Sequence, residues 1–181
     1  MNTNIFNTKL KGVFLIENQS FSDERGSFLN IFRSNEECYQ RIWGGRSLNQ
    51  INISRNSKLG TTRGMHCQLG EFSEAKLVNC LMGKVFDVIL DLRKESETFG
   101  EWISIILSSK KQNAVFIPEG CAHGFQTLEN NSEIIYIHSG NWVKNSESGV
   151  RWDDPSVAIK WPMSPTVISK KDLLLPLLQE P

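Results

Sequence analysis

The sequence has no excess of charge: 20 Lys and Arg stand against 20 Asp and Glu in 181 residues. Proteins that hold nucleic acid in bulk carry a basic surplus, so that class is excluded, though a small local cluster of cations is not. No apolar run approaches the roughly 18 residues of a membrane span. The opening, MNTNIFNTKLKG, lacks the apolar stretch of about 7–15 residues that an export signal needs. Together these absences predict a cytoplasmic protein that engages neither membrane nor nucleic acid. Cysteine is scarce and scattered: Cys38, Cys67, Cys80 and Cys121 contain no C-x-x-C pair. In a reducing compartment they read as thiols rather than as disulfides or a zinc set. Internal repeats and low-complexity linkers are missing too. What remains is the composition of an ordinary globule, 39% hydrophobic and 22% charged. The length predicts one domain over residues 1–181. A domain of this size hides about 70% of its unfolded surface, so it needs neither disulfide nor structural metal to fold.

Helical periodicity is also scarce, and only Asn35–Trp43 and Lys170–Leu174 read as helix. Short β-branched and aromatic runs dominate: Gly12–Ile16, Lys76–Leu81, Val85–Leu92, Trp102–Leu107, Ala114–Ile117, Glu133–His138 and Ser156–Trp161. Turn signals separate them at Met82-Gly83, Thr98–Gly100, Pro118–Gly120 and Glu129–Asn131. Many short strands with regular turns predict an all-β, antiparallel fold. The expected form is a cupin-type jelly roll, a double-stranded β-helix with short flanking helices. A strand within the first 30 or so residues has two expected partners, its own core or a second subunit.

Histidine is rarer still, with only His66, His123 and His138. A metal cupin typically offers two histidines two residues apart, a carboxylate shortly after and a distant histidine. Here the segment is Arg63-Gly64-Met65-His66-Cys67-Gln68. Residues i and i+2 share a strand face, so Gln68 stands where a second imidazole would be, and an amide is the poorer ligand. The pattern favours a metal-free cavity over a metal-dependent one. A histidine in such a cavity suits general-base work near neutral pH; the alternative is a satisfied core side chain. Arg63, Lys76, the alternating amides Gln50 and Asn52, and Arg25 in the turn-like Asp23-Glu24-Arg25-Gly26 are groups that suit a phosphorylated ligand. Taken singly, each reads as a solvated surface residue. Period-2 alternation puts Ile134, Tyr136 and His138 on one face and Ile135 and Ile137 on the other. The Tyr136 phenol is then either core or a proton donor.

Seven segments carry a specific resemblance: FSDERGSF (21–28), QINIS (50–54), TTRGMHCQ (61–68), AKLVNCLMGKVFDVILDLRKESETFGEW (75–102), IPEGCAHGFQTL (117–128), GVRWDDPSVAIKWP (149–162) and ISKKD (168–172). In these, and in their order, the chain resembles the dTDP-4-dehydrorhamnose 3,5-epimerases, nucleotide-sugar epimerases of the cupin fold. The resemblance implies an isomerase acting on a nucleoside-diphosphate 4-keto-6-deoxyhexose without metal or organic cofactor. A base removes the protons that the C-4 carbonyl acidifies at C-3 and C-5, and an acid returns them on the other face. By the same resemblance His66 matches the base, Asp172 its carboxylate, Lys76 the group at the enolate oxygen and Tyr136 the acid. Arg25 and Arg63 match the diphosphate clamp, and Gln50, Asn52 and His123 the pocket lining. Phe21 and Phe28 match apolar contacts near the nucleotide that reach a neighbouring subunit's site, which implies a homodimer with exchanged N-terminal strands.

The chain departs from the family pattern at five positions in the substrate-facing shell. Asn141-Trp142 stands where the family has a Tyr-Tyr pair, His138 where it has a small polar residue, Asn30 where it commonly has Glu, and Cys67 where an aromatic follows the base. The catalytic set is kept and the shell around it is changed. The principal expectation is dTDP-4-dehydro-6-deoxyglucose 3,5-epimerisation. The alternatives are inversion at one centre, a 3,4-ketoisomerase of another nucleotide sugar, and a cupin that binds such a sugar without turning it over.

Overall fold

The computed structural model describes residues 3–179. Thirteen strands follow in order: β1 (Asn4–Asn7), β2 (Phe14–Glu17), β3 (Ser20–Asp23), β4 (Gly26–Leu29), β5 (Gln50–Asn56), β6 (Thr62–Gln68), β7 (Lys76–Met82), β8 (Lys84–Asp91), β9 (Trp102–Ser108), β10 (Asn113–Ile117), β11 (Cys121–Thr127), β12 (Ser132–His138) and β13 (Glu147–Gly149). Helix α1 (Glu37–Trp43) lies between β4 and β5, and α2 (Lys170–Leu173) near the C-terminus. Two antiparallel sheets carry the molecule, one ordered β1-β2-β10-β7-β12-β5 and the other β13-β6-β11-β8-β9. The pair β3–β4 forms a separate hairpin. This is the jelly roll that the strand pattern predicts.

The alternation in the sequence explains which faces meet. Val78, Val85, Ile89, Leu107, Val115, Phe125 and Ile134 come from both sheets and form one buried cluster. Tyr136 packs against it, as the i, i+2 reading of β12 requires. Ile137, on the opposite face of β12, belongs instead to a cluster with Tyr39, Ile42 and Trp43 of α1. Full burial of each such large side chain is worth roughly 1.5–3 kcal/mol, which ties this seven-residue helix to the outside of its sheet. Gly44 ends the helix at φ 62°, a left-handed conformation that glycine takes without steric cost. A third cluster, with Met65, Cys67, Val88, Val150 and Val157, covers the outer side of the five-stranded sheet.

Two expectations change. Ser156–Trp161 is not a strand but a compact turn. Asp154 Oδ1 accepts from the backbone N–H groups of Ser156 and Val157 and from the Ser156 hydroxyl, and Ala158 lies at φ 50°. A short side-chain acceptor has captured donors that a ladder would otherwise use. The converse holds for β11, whose Cys-Ala-His-Gly-Phe-Gln-Thr composition does not read as a strand, yet it is buried along its whole length between β6 and β8. All four cysteines are free thiols. Among the described residues no helix is long and apolar enough to cross a membrane.

Candidate active site

A cavity of ≈ 480 Å³ opens between the two sheets, within the range of small-molecule sites. On the five-stranded side, His66 projects from β6 with its side chain 32% exposed. Its Nε2 lies 2.8 Å from Asp172 Oδ1, although 106 residues separate the two. Asp172 is buried on α2. Its backbone N–H donates to the Ser169 hydroxyl, the N-cap of that helix, and its Oδ2 accepts from Gly64 N. Burial works against the Asp172 charge, but the His66 contact, the Gly64 N–H and the Ser169 cap outweigh it and hold the carboxyl below its ordinary value. An ionised carboxylate only accepts. Nε2 therefore carries the ring proton, and Nδ1 is the nitrogen left to act as base.

The backbone beside His66 is unusually close-packed. A Cβ on Gly64 (φ 113°) would come 2.6 Å from Gly124 Cα and 2.8 Å from His123 O. The register between β6 and β11 shifts at this point and leaves His66 directly opposite His123. The His123 Nε2 lies 2.8 Å from Asp87 Oδ2, and both side chains are buried. Burial raises the Asp87 carboxyl, with the charge and hydrogen bond of His123 opposing it.

The six-stranded sheet supplies the other wall. In its register His138 stands opposite Lys76 on β7 and Gln50 on β5, and Tyr136 opposite Val78 and Asn52. Laterally paired residues point to the same face, so Lys76, Gln50, Asn52, Tyr136 and His138 line the cavity together. The Tyr136 ring meets His123 edge-on at 5.8 Å between centroids. Burial, then the charge of Asp87, pushes the Tyr136 phenol well above its ordinary value against the opposing effects of Arg63 and Ser54, so it is protonated at neutral pH. Arg63 lines the cavity and donates from Nε to Asn56 Oδ1 at 2.9 Å. Trp142 stands at the rim, 55% exposed. Its backbone N–H donates to Gln50 Oε1 and its indole N–H to Glu147 Oε2.

With this geometry in place, comparison with known proteins is decisive. A family model described as dTDP-4-dehydrorhamnose 3,5-epimerase matches residues 7–180. The chain belongs to the dTDP-4-dehydrorhamnose 3,5-epimerase family. It is 38% identical over 171 residues to the dTDP-4-dehydrorhamnose 3,5-epimerase of Shigella flexneri, covering 94% of this chain and 93% of that one. The crystal structure of the Bacillus anthracis dTDP-4-dehydrorhamnose 3,5-epimerase, with TDP and PPi bound, superposes with a TM-score of 0.92 at 34% identity, covering 98% of this chain and 100% of that one. The Legionella pneumophila dTDP-6-deoxy-D-glucose-3,5-epimerase, in complex with dTDP-4-keto-L-rhamnose, gives 0.91 at 36% identity, with 97% and 93% covered.

Of the site residues expected from the sequence, His66, Lys76, Tyr136, Gln50, Asn52, Arg63, His123, His138 and Trp142 line this cavity, and Asp172 reaches it through His66. Phe21, Arg25 and Phe28 do not. They line a separate depression on the β3–β4 hairpin, where Phe21 and Phe28 are direct cross-strand partners. Arg25 is paired there with Asp23. Asn30 follows that hairpin, half-buried, with its Oδ1 unpartnered. Gln68 does share the cavity face with His66, but its amide is engaged elsewhere. It donates to Phe72 O and Asn141 O and accepts from Val143 N, which pins the loop that carries Trp142. Among the described residues no three His, Cys, Asp or Glu side chains gather as a metal set. The sequence reading missed Glu74, Asp87 and Glu147, because a carboxylate reads by default as solvated surface. The one available signal was the i, i+2 spacing of Glu74 and Lys76.

Proposed function

We propose that this family member epimerises a nucleoside-diphosphate 4-keto-6-deoxyhexose, dTDP-4-dehydro-6-deoxyglucose first among them, at C-3 and C-5. The observation that carries the reading is the placement of base and acid on opposite walls. His66 projects from the five-stranded sheet and the protonated Tyr136 from the six-stranded sheet. A sugar ring held between them loses a proton toward one sheet and regains one from the other, which is inversion.

The C-4 carbonyl makes the neighbouring C–H acidic. His66 Nδ1 takes the proton, and Asp172 stabilises the resulting imidazolium and fixes its orientation, as the third member of a triad does. The electrons move to the C-4 oxygen, and the Lys76 ammonium faces the enolate so formed. One preorganised donor of this kind is typically worth about 2.7–4 kcal/mol. Tyr136 then gives its proton to the opposite face of the carbon. Exchange with solvent reprotonates the phenol and discharges His66, so no net proton is gained or lost. Arg63 and the amides of Gln50 and Asn52 suit the diphosphate and hydroxyl groups.

The nucleotide contacts extend this proposal to a homodimer. Strands β1 and β2 remain on their own sheet. The segment proposed to exchange is therefore the β3–β4 hairpin, whose residues 21–28 are all exposed and whose Phe28 is 64% exposed. Seated at a partner's cavity mouth, it would bring two aromatic rings and Arg25 to the nucleotide.

The test is incubation with dTDP-4-keto-6-deoxyglucose in D₂O, followed by NMR of the sugar protons. Deuterium entry at both C-3 and C-5 with inversion supports the reading. Exchange at one carbon makes the protein a single-centre epimerase and points to Trp142 and His138. No exchange under conditions where the nucleotide sugar binds defeats it.

A further inference from the structure

The cavity wall holds a buried carboxylate, Glu74, with no part in the reaction above. Glu74 lies two residues before Lys76, the first residue of β7, and its side chain is 6% exposed. One oxygen, Oε1, lies 3.5 Å from Lys76 Nζ, and the other, Oε2, lies 3.1 Å from His138 Nδ1. His138 is the cross-strand partner of Lys76, so the three groups form one compact cluster beside Tyr136, whose ring centroid is 5.9 Å from that of His138. The second nitrogen of His138, Nε2, lies 3.4 Å from Asn52 Nδ2. An amide nitrogen only donates, so Nε2 accepts and the ring proton resides on Nδ1. That N–H is buried and has no aligned hydrogen bond, and Glu74 Oε2 is an acceptor within reach of it. A buried ammonium and a buried carboxylate are each costly alone. Lys76 and Glu74 are both almost wholly enclosed, so each answers the charge of the other.

We infer that Glu74 is a positioning residue that acts through Lys76, and that His138 braces the far oxygen of its carboxylate. A lysine chain has four flexible bonds and a point charge, so its ammonium needs an external reference to sit at one place. Glu74 provides it from the strand's own leading edge, and His138, held on its other side by Asn52, stops the carboxylate from turning away. The inference rests on the reading of Lys76 as the group at the enolate oxygen.

The test is a double-mutant cycle with steady-state kinetics on dTDP-4-keto-6-deoxyglucose, together with ¹⁵N NMR of the histidine rings in the free protein. Lys76→Met lowers kcat on the order of a hundredfold or more. Glu74→Gln, which keeps the shape and removes the charge, lowers kcat on the order of tenfold and changes KM less than about twofold. Glu74→Asp recovers part of that loss. In the Lys76→Met background Glu74→Gln costs nothing further. The His138 ring shows the Nδ1-protonated pattern, and Glu74→Gln alters it. The inference is overturned by an equal Glu74→Gln penalty with and without Lys76, by a penalty that falls on KM alone, or by an Nε2-protonated His138 in the wild-type protein. A Lys76→Met enzyme with wild-type kcat gives a different result: it removes the lysine reading itself, and with it the group through which Glu74 acts.

Discussion

Two histidine–carboxylate pairs face one another across the β6–β11 ladder, and they share almost everything except consequence. His66 and His123 are register partners, and each has Nε2 2.8 Å from an aspartate oxygen. The difference lies in what surrounds them. His66 is open to the cavity, and its aspartate comes from a distant helix with backbone and hydroxyl donors that favour the charge. His123 is closed in, and Asp87, its neighbour across β8–β11, is 0% exposed with Oδ1 unpartnered and its carboxyl raised by burial. One geometry thus opens to the cavity in one place and is closed into the wall in the other. Exposure of the ring and the donors around the carboxylate, rather than the hydrogen-bond length, separate the two pairs.

The comparison predicts opposite outcomes for matched substitutions. His66→Asn should have the largest effect, abolishing deuterium exchange at both sugar carbons in an NMR assay while leaving the unfolding midpoint near that of the parent. Asp172→Asn should follow, lowering kcat on the order of 10²–10⁴-fold with little change in KM. Asp87→Ala belongs to the other class. It removes one partner of a buried pair and should cost on the order of 3–5 kcal/mol of stability, read as a thermal midpoint lowered by roughly 6–20 °C. Equal kinetic damage from Asp87→Ala and Asp172→Asn, in protein still folded at the assay temperature, would erase the distinction. Ser169→Ala, which removes the cap that receives the Asp172 N–H, should cost about 1 kcal/mol and a few-fold in kcat.

The smallest effect is the most diagnostic. The folded Asp172 carboxyl is held below its ordinary value of 3.8, so its contribution to stability is present above that value and is lost as pH falls through the folded one. The Asp87 carboxyl is raised, so its contribution has the reverse sign: present below 3.8 and lost as pH rises through the folded value. Urea titrations from neutral pH to the acid side should show the stability deficit of Asp172→Asn shrinking and that of Asp87→Asn widening. Parallel behaviour in the two variants would show that the environments are alike after all.

The two pairs also differ in how far the sequence revealed them. His66 was visible as a rare side chain in a strand with charged neighbours, and the alternation Ile134, Tyr136, His138 placed the phenol on the correct face. Asp172 lies 106 residues away, beyond any local pattern, and only the family resemblance pointed to it. Asp87 was invisible because the apolar run of β8 looks the same whether one of its carboxylates meets water or an imidazole. The strand β11 was hidden by its glycine and its small side chains, which are there because Gly64 and Gly124 touch backbone to backbone. Ser156–Trp161 misled for the opposite reason: its apolar residues do pack on the core, but from a turn closed by Asp154.

Helix α2 has a consequence for how the protein is made. Every strand of the described residues has been laid down by Gly149, while the aspartate that meets His66 follows 23 residues later. A nascent chain stalled after Ser169 already encodes both sheets, but it lacks the Asp172 carboxylate that meets His66. A truncation between Gly149 and Asp172 therefore leaves every described strand encoded and removes the carboxylate beside His66. C-terminal tags or clipping near α2 should silence the enzyme before they unfold it.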